Sequence, residues 1–270
     1  MQGELQDLIS YYTDKSNCII LSLFLLFSIT ITGLSDEYPE AEEAEEKEYS
    51  NITYGAEIAF ASQYIWRGIE LSDGVVLEPA AWIQAYGLYF EVWGNFFLED
   101  ADQGEPNEID LISYYELVWN NFTLEPGFEA FLYPDADEPS TLELTIGLSY
   151  SILDQFSIFT KHYFDVAEYQ GSYFGTVGVG FERELESLPF YIDSSLKLGW
   201  GNSDFNEVNI EVSKSALNVI IADLSVYYYP LDHLYIRPHI QFSALLDDDL
   251  RDAVDNPTIV SGGIAVGVEF

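Results

Sequence analysis

The sequence predicts an all-β chain folded as a transmembrane, antiparallel, up-and-down β-barrel of about twelve strands. Three observations lead there. Hydrophobicity alternates residue by residue from Asn51 onward, long and short connections alternate between the patterned segments, and the chain ends on Phe270 in phase with its last apolar face. Period-two alternation places successive side chains on opposite faces of a strand. Backbone in lipid must satisfy its polar groups within a helix or a closed sheet.

At the N-terminus, Cys18–Ile31 (CIILSLFLLFSITI) is almost continuously apolar, with Lys15 before it and Gly33 and Ser35 after it. The run is shorter than the roughly 20 residues a spanning helix needs. Residues 1–35 therefore read as a secretory signal peptide, although Glu4, Asp7 and Asp14 make its start less cationic than usual. Cys18 is the only cysteine and lies in this leader, so the mature chain is expected to carry no disulfide, thiol nucleophile or cysteine-bound zinc. Residues 36–51 include DEYPEAEEAEEKEYS, which has almost nothing to bury and is expected to form an acidic, disordered periplasmic arm. Residues 52–270 are assigned to the barrel.

In the first barrel segment Ile52, Tyr54, Ala56, Ile58, Phe60, Tyr64 and Trp66 share one face, opposite Thr53, Gly55, Glu57, Ala59, Ala61 and Gln63. The split recurs at Leu142, Leu144, Ile146, Leu148, Tyr150 and Ile152, and again at Val260, Ile264, Val266, Val268 and Phe270. Strands of this length suit a tilted membrane crossing better than a soluble sheet. The polar faces are rich in Gly, Ala, Ser, Thr and carboxylates, as a barrel interior would be. Tyr64, Trp66, Tyr150 and Trp200 read as interfacial girdle residues.

Long connections are expected near Gly68 to Val75, Asp100 to Asn107, Pro134 to Ser140, Ala167 to Ser172 and Asp247 to Pro257. Tight turns are expected near Gly87, Asn120-Asn121, Leu153 to Gln155, Ser187 to Pro189 and Pro230 to His233. Asn206 to Ser213 (NEVNIEVS) looks like a thirteenth strand. With both ends of the barrel on one side of the membrane the count must be even, so Gly201 to Ala216 is assigned as an outer loop with a short β extension. Phe270 then marks the periplasmic end and is expected to be read by the barrel assembly machinery, with outer-membrane lipid as the other partner.

The segment Phe60 to Gly74 (FASQYIWRGIELSDG), with its core Tyr64-Ile65-Trp66-Arg67-Gly68-Ile69, resembles the opening strand and first loop of the TorF family of porin-like proteins. Tyr89-Phe90-Glu91-Val92-Trp93-Gly94-Asn95 is similar to that family's third-strand pattern, and Trp200-Gly201-Asn202 through Phe270 is similar to its C-terminal part. That last third more distantly resembles the MltA-interacting and OmpV-like barrels. The resemblance implies a bacterial outer-membrane location and passage of small solutes, and assigns no catalytic residue.

Asp and Glu outnumber Lys and Arg by 47 to 9, a formal net charge of -38 that excludes nucleic acid as a partner. If the apolar faces look to lipid, Glu57, Glu78, Glu91, Asp110, Glu116, Glu125, Glu129, Glu143, Glu182, Asp193 and Asp223 look inward. Lys161, Lys197 and Arg237 are among the few counter-charges, and His239 flanks Arg237 on the same face. Arg67, directly after Trp66, is expected to end the first strand and pair with lumen carboxylates. An acidic lumen attracts cations and repels anions, so an open pore would prefer cations or neutral solutes. The alternative is a non-conducting structural or adhesin-like barrel whose acidic outer loops, Asp100 to Glu105 and Asp247-Asp248-Asp249, hold divalent cations through carboxylate oxygens. An outer-membrane hydrolase would need a base beside a nucleophile. With only His162, His233 and His239 available, the sequence shows no such constellation, and no catalytic residue, cofactor or resident metal is expected.

Overall fold

The computed structural model describes residues 52–98, 107–134, 139–185 and 187–270. The expected signal peptide, the acidic arm and the segment Asp100 to Glu105 lie outside the described residues. The elements run β1 (Thr53–Ala61), β2 (Tyr64–Trp66), β3 (Ile69–Ser72), β4 (Val76–Ala85), β5 (Leu88–Phe97) and β6 (Glu108–Tyr115). They continue with β7 (Leu117–Trp119), β8 (Phe122–Leu132), β9 (Thr141–Leu153), β10 (Phe156–Asp165), β11 (Tyr173–Glu184) and β12 (Phe190–Gly201). A helix α1 (Ser203–Ile210) precedes β13 (Ala216–Leu231) and β14 (Leu234–Leu245), and a short helix α2 (Asp248–Asp252) precedes β15 (Thr258–Glu269).

Each barrel strand pairs antiparallel with its neighbours, and β1 pairs with β15 to close the sheet. The strands β6 and β7 both pair with β8 and form one barrel strand interrupted at Glu116. With β2 and β3 forming a separate hairpin, the closed barrel has twelve strands. Closure is completed at the last residue, where Phe270 donates to the Tyr54 carbonyl at 2.9 Å and accepts from the Tyr54 N–H at 3.1 Å. The Phe270 ring stacks on Tyr54 at 5.5 Å and on His233 at 5.0 Å. All tight turns and both ends of the barrel lie at one end, and the long connections at the other.

Exposure is inverted relative to a water-soluble protein, as a lipid-facing surface requires. Tyr54, Ile58 and Phe60 are each about half exposed, whereas Ala59 and Ala61 on the opposite face are buried. Tyr150 stays on the outer face against Phe122 (4.7 Å). Trp200 is also on the outer face, donating its ring N–H to Tyr173 at 3.1 Å.

Two expectations are corrected here. Tyr64 and Trp66 do not extend β1 into a girdle. The strand stops at Ala61, the Ser62 N–H bonds the Gly262 carbonyl (2.9 Å), and the chain then reverses into β2 and β3. Alternation resumes in phase after the polar Ser62, so counting by twos cannot detect the reversal. Likewise the loop from Asn202 onward holds a helix instead of a β extension. The Asn202 side chain caps it by accepting from the Phe205 N–H (2.9 Å), and Glu211 ends it with φ 61°. The alternating Val208, Ile210 and Val212 are too short a run to separate strand from helix.

The helix α1 is fixed to the wall by an amide pair. A register shift at Gly199/Trp200 leaves Asn218 as an extra residue on β13. Its side chain accepts from the Gly201 N–H at 2.9 Å and exchanges hydrogen bonds with Asn206 on α1. Both asparagines are fully buried, so each would be costly without the other. The largest apolar cluster among the described residues sits here, at the long-loop end, and includes Ile69, Phe174, Phe205, Val219, Leu245 and Leu250.

Candidate functional site: the lumen and its inserted hairpin

Ladder partners share a face, so the register alone maps the interior. Glu91 opposes Trp82 and Ile112, Asp110 opposes Trp93, Glu129 opposes both Ile112 and Glu143, and Lys161 opposes Gly147 and Thr176. Glu182 opposes Asp193, Asp223 opposes Ser195 and Gln241, and Arg237 opposes Ala265. Glu57 and Glu78 fall on the same face through Gly267, Ala80 and Ala59, as do Glu125, Lys197 and His239 through Gly147, Gly178 and Gly263. Glu116 continues the phase of Tyr114 at the break between β6 and β7.

Four of these carboxylates meet the four cationic side chains. Lys161 bonds Glu129 at 2.8 Å, Lys197 bonds Asp223 at 2.7 Å, Arg237 grips Glu57 through two bonds, one of 3.0 Å, and Arg67 grips Glu143 through two bonds, one of 2.8 Å. Glu78, Glu91, Asp110, Glu116, Glu125, Glu182 and Asp193 form no salt bridge among the described residues. Eleven carboxylates against four cations leave a formal excess of seven negative charges. Glu91 is held by the Tyr89 hydroxyl (2.6 Å), while one oxygen of Asp110 is buried without a hydrogen-bond partner.

Arg67 departs from its expected place. It sits at the tip of the β2–β3 hairpin, where Arg67 (φ 51°) and Gly68 (φ 85°) form a two-residue turn of the kind that matches strand twist. The hairpin leaves the wall between β1 and β4, yet the Arg67 guanidinium lies 4.0 Å from the Tyr163 ring on β10 and 5.1 Å from Phe174 on β11. Strand β10 is diametrically opposite β1 in the strand order, so the hairpin crosses the interior completely. A Cβ on Gly68 would fall 2.4 Å from Val219 on β13, which only glycine avoids. Trp66 packs edge-on against Phe131 of β8 (6.0 Å) and tilted against Phe205 of α1 (5.8 Å). The sequence carried a trace of this in Trp66-Arg67-Gly68-Ile69, a two-residue turn between apolar Trp66 and Ile69.

The hairpin divides the interior. On the long-loop side, Trp66 and Glu143 border a cavity of about 350 Å³ with Glu108, Asp165 and Phe205. On the other side, Arg67 and Tyr163 border one of about 480 Å³ with Lys161, Lys197, Glu125 and Gln241. Outside the barrel proper, Lys214 clasps the two helical loops together, reaching Asp247 at 2.9 Å and Asp249 at 2.6 Å. That ammonium holds the Asp247 carboxyl below its ordinary range. Of the loop carboxylates expected to hold a divalent cation, Asp247 and Asp249 are thus engaged by a lysine, while Asp100 to Glu105 lie outside the described residues. Among the histidines, His162 faces outward between Thr160 and Tyr173, His233 lies at a tight turn, and His239 faces inward with a buried, unpartnered Nδ1.

The model of a family described as a bacterial protein of unknown function (Gcw_chp) matches residues 44–210. The chain belongs to the Gcw_chp family. That membership does not carry the finer TorF resemblance. No curated protein matches the Gcw_chp chain. Among solved structures, the KdgM porin superposes with a TM-score of 0.50 at 12% identity, covering 80% of this chain and 98% of that one. The NanC porin follows with a TM-score of 0.49 at 13% identity, covering 80% and 98%. The COG4313 outer membrane channel from Pseudomonas putida F1 reaches 0.44 at 10%, covering 84% and 100%. At these identities the likeness to the KdgM porin is one of fold, and it agrees with the twelve-strand closure of the Gcw_chp barrel.

Proposed function

We propose that this Gcw_chp protein is a porin-like barrel of the bacterial outer membrane, passing small cations or neutral solutes through an acidic lumen narrowed by its own hairpin. The observation that carries the reading is the pair of cavities of about 350 and 480 Å³ on the two sides of the hairpin, each with charged side chains among its lining residues, Trp66 bordering one and Arg67 the other. A solute path between the two cavities requires the hairpin to move. The excess of lumen carboxylates supports cation preference, and the tight-turn end, with Phe270, is taken as periplasmic, where the assembly machinery would read the last strand. Outer-membrane lipid would meet the apolar face.

Planar-bilayer recording of the refolded barrel under a salt gradient tests this. A cation-selective reversal potential is expected, and an anion-selective one refutes the lumen assignment. A second reading, a non-conducting barrel, is favoured by the apolar packing of Ile69, Phe174, Phe205 and Val219 around the hairpin. It wins if neither the native barrel nor one lacking residues 63–72 conducts. The adhesin version of that reading, with divalent cations at the acidic loops, requires Ca²⁺ to displace Lys214 from Asp247 and Asp249.

A further inference from the structure

The tight-turn end of the lumen carries a feature that neither the ion pairs nor the hairpin explain. Tyr191 on β12, Tyr227 and Tyr229 on β13 and Tyr235 on β14 all turn inward, with neighbouring ring centroids 5.3 to 6.4 Å apart. Aromatic side chains at the strand ends of a membrane barrel ordinarily point outward, to the lipid interface. These point the other way, so a girdle role does not account for them.

Tyr191, Tyr227 and Tyr229 border a cavity of about 590 Å³, and its other walls include Glu184, Asp232 and Glu269. Among the described residues no lysine or arginine lines it. The nearest lumen cation, Arg237, reaches the Tyr227 ring at 5.7 Å, but its guanidinium is taken up by Glu57. The aromatic wall is also preformed. Tyr235 does not line the cavity but backs Tyr227 and Tyr229; it is 3% exposed and packs so close to Gly267 that a Cβ there would come within 2.2 Å of its ring.

Ring faces carry negative potential and attract cations, most effectively those that shed water easily, such as alkylated ammonium groups. Carboxylates beside the rings add charge neutralisation, and no resident cation competes. A small inorganic cation would keep its hydration shell and gain nothing from the rings, and an anionic solute would be repelled by three carboxylates. We infer that this cavity binds small organic ammonium ions, their methyl or methylene groups against the tyrosine rings and their charge balanced by the rim carboxylates. The inference names a solute class for the path proposed above and rests on that reading for its purpose, but binding itself requires no conduction.

The test is calorimetric titration of choline into the full chain, refolded in detergent, at constant ionic strength with KCl as the replaced salt. Saturable one-site binding is expected. Tyr229→Leu should weaken it about tenfold, Tyr229→Phe should leave it within about twofold, and Glu269→Gln should weaken it about threefold. Heat-modifiable migration on gels confirms that each variant is folded, and Glu269→Gln, at the exposed rim, serves if Tyr229→Leu is not. No saturable choline binding overturns the inference, as does choline affinity unchanged in both Tyr229→Leu and Glu269→Gln. Displacement of choline by maltose at equal concentration also overturns it, in favour of a neutral-sugar site. A barrel that binds choline and carries no current refutes only the channel reading. One that conducts and binds no choline refutes only this inference.

Discussion

Replacing Arg67 by alanine removes the group that ties the inserted hairpin to the far wall of the barrel. Its side chain is 8% exposed and that of Glu143 7%, so the pair is held out of water. Deleting one member of a buried pair costs about 3–5 kcal/mol, because the other charge is left without compensation. Loss of the guanidinium from between the Trp66 and Tyr163 rings, at 4.2 and 4.0 Å, adds about 1 kcal/mol. Taking about 4 kcal/mol, the low end of that sum, the ratio of docked to undocked hairpin falls by about a thousandfold or more. The barrel strands do not depend on the hairpin, so heat-modifiable migration should be unchanged while single-channel open probability rises. Amide exchange over Ile69–Ser72 should accelerate in parallel. Removing both charges, in Arg67→Ala with Glu143→Ala, should restore part of the protection, since no stranded charge remains. Native conductance together with native exchange in Arg67→Ala would show that the ion pair is not the latch.

Gly68→Val should reproduce the opening without altering lumen charge. It places a branched side chain at φ 85° and against Val219, at a cost of about 2 kcal/mol or more, so conductance should rise at an unchanged reversal potential. Asn206→Leu strands the buried Asn218 amide and removes the 2.6 Å bond to the Lys214 carbonyl, costing about 2 kcal/mol. The readout is a lower unfolding temperature with faster exchange in α1. Acid should release the Lys214 clasp. Asp247 titrates below its ordinary range in the folded chain because of Lys214, so the contribution is complete above the ordinary aspartate range and is lost as pH falls through the lowered value. Exchange in α2 should therefore quicken in strong acid in the native chain and be insensitive to the same change in Lys214→Ala.

Strand number and the two classes of connection were legible because each depends on local pattern. The phase of Leu144, Ile146 and Leu148 is fixed by a period of two, and Asn120-Asn121 announces a turn by its chemistry. The hairpin was hidden because its partners are remote in sequence. Arg67 and Glu143 are 76 residues apart, and nothing near Arg67 marks which of many acids it meets. Aromatic residues misled for a related reason. Tyr64 and Trp66 were indistinguishable from outward rings such as Tyr54 and Tyr150, since inside and outside of a barrel differ only by phase, and the alternation continues in phase through the reversal after Ala61. The helix α1 was misread because its cap, Asn202, and its wall partner, Asn218, act through single hydrogen bonds that leave no periodic trace.

The interior of a twelve-strand barrel is wider than its own side chains can fill, and this chain fills its two ends by different means. At the long-loop end the filling is polypeptide: the hairpin and α1 bring Ile69 and Phe205 against Phe174, Val219 and Leu245, so that part can be apolar. At the tight-turn end no inserted segment is seen among the described residues, and the wall itself supplies tyrosine rings and carboxylates, Tyr191, Tyr227 and Tyr229 beside Glu184 and Glu269. Arg67 belongs to both, its rings on one side and the water-accessible cavity with Lys161 and Lys197 on the other. Its ion pair shares the docking of the hairpin with the apolar cluster, which holds it against the wall by about 2 kcal/mol for each large side chain buried. What the pair does set is register. A cation fixed to Glu143 lets the tip dock in one place only, which is why Gly68 can approach Val219 so closely and why the loss of either residue should be felt as movement of the hairpin, not as loss of the barrel.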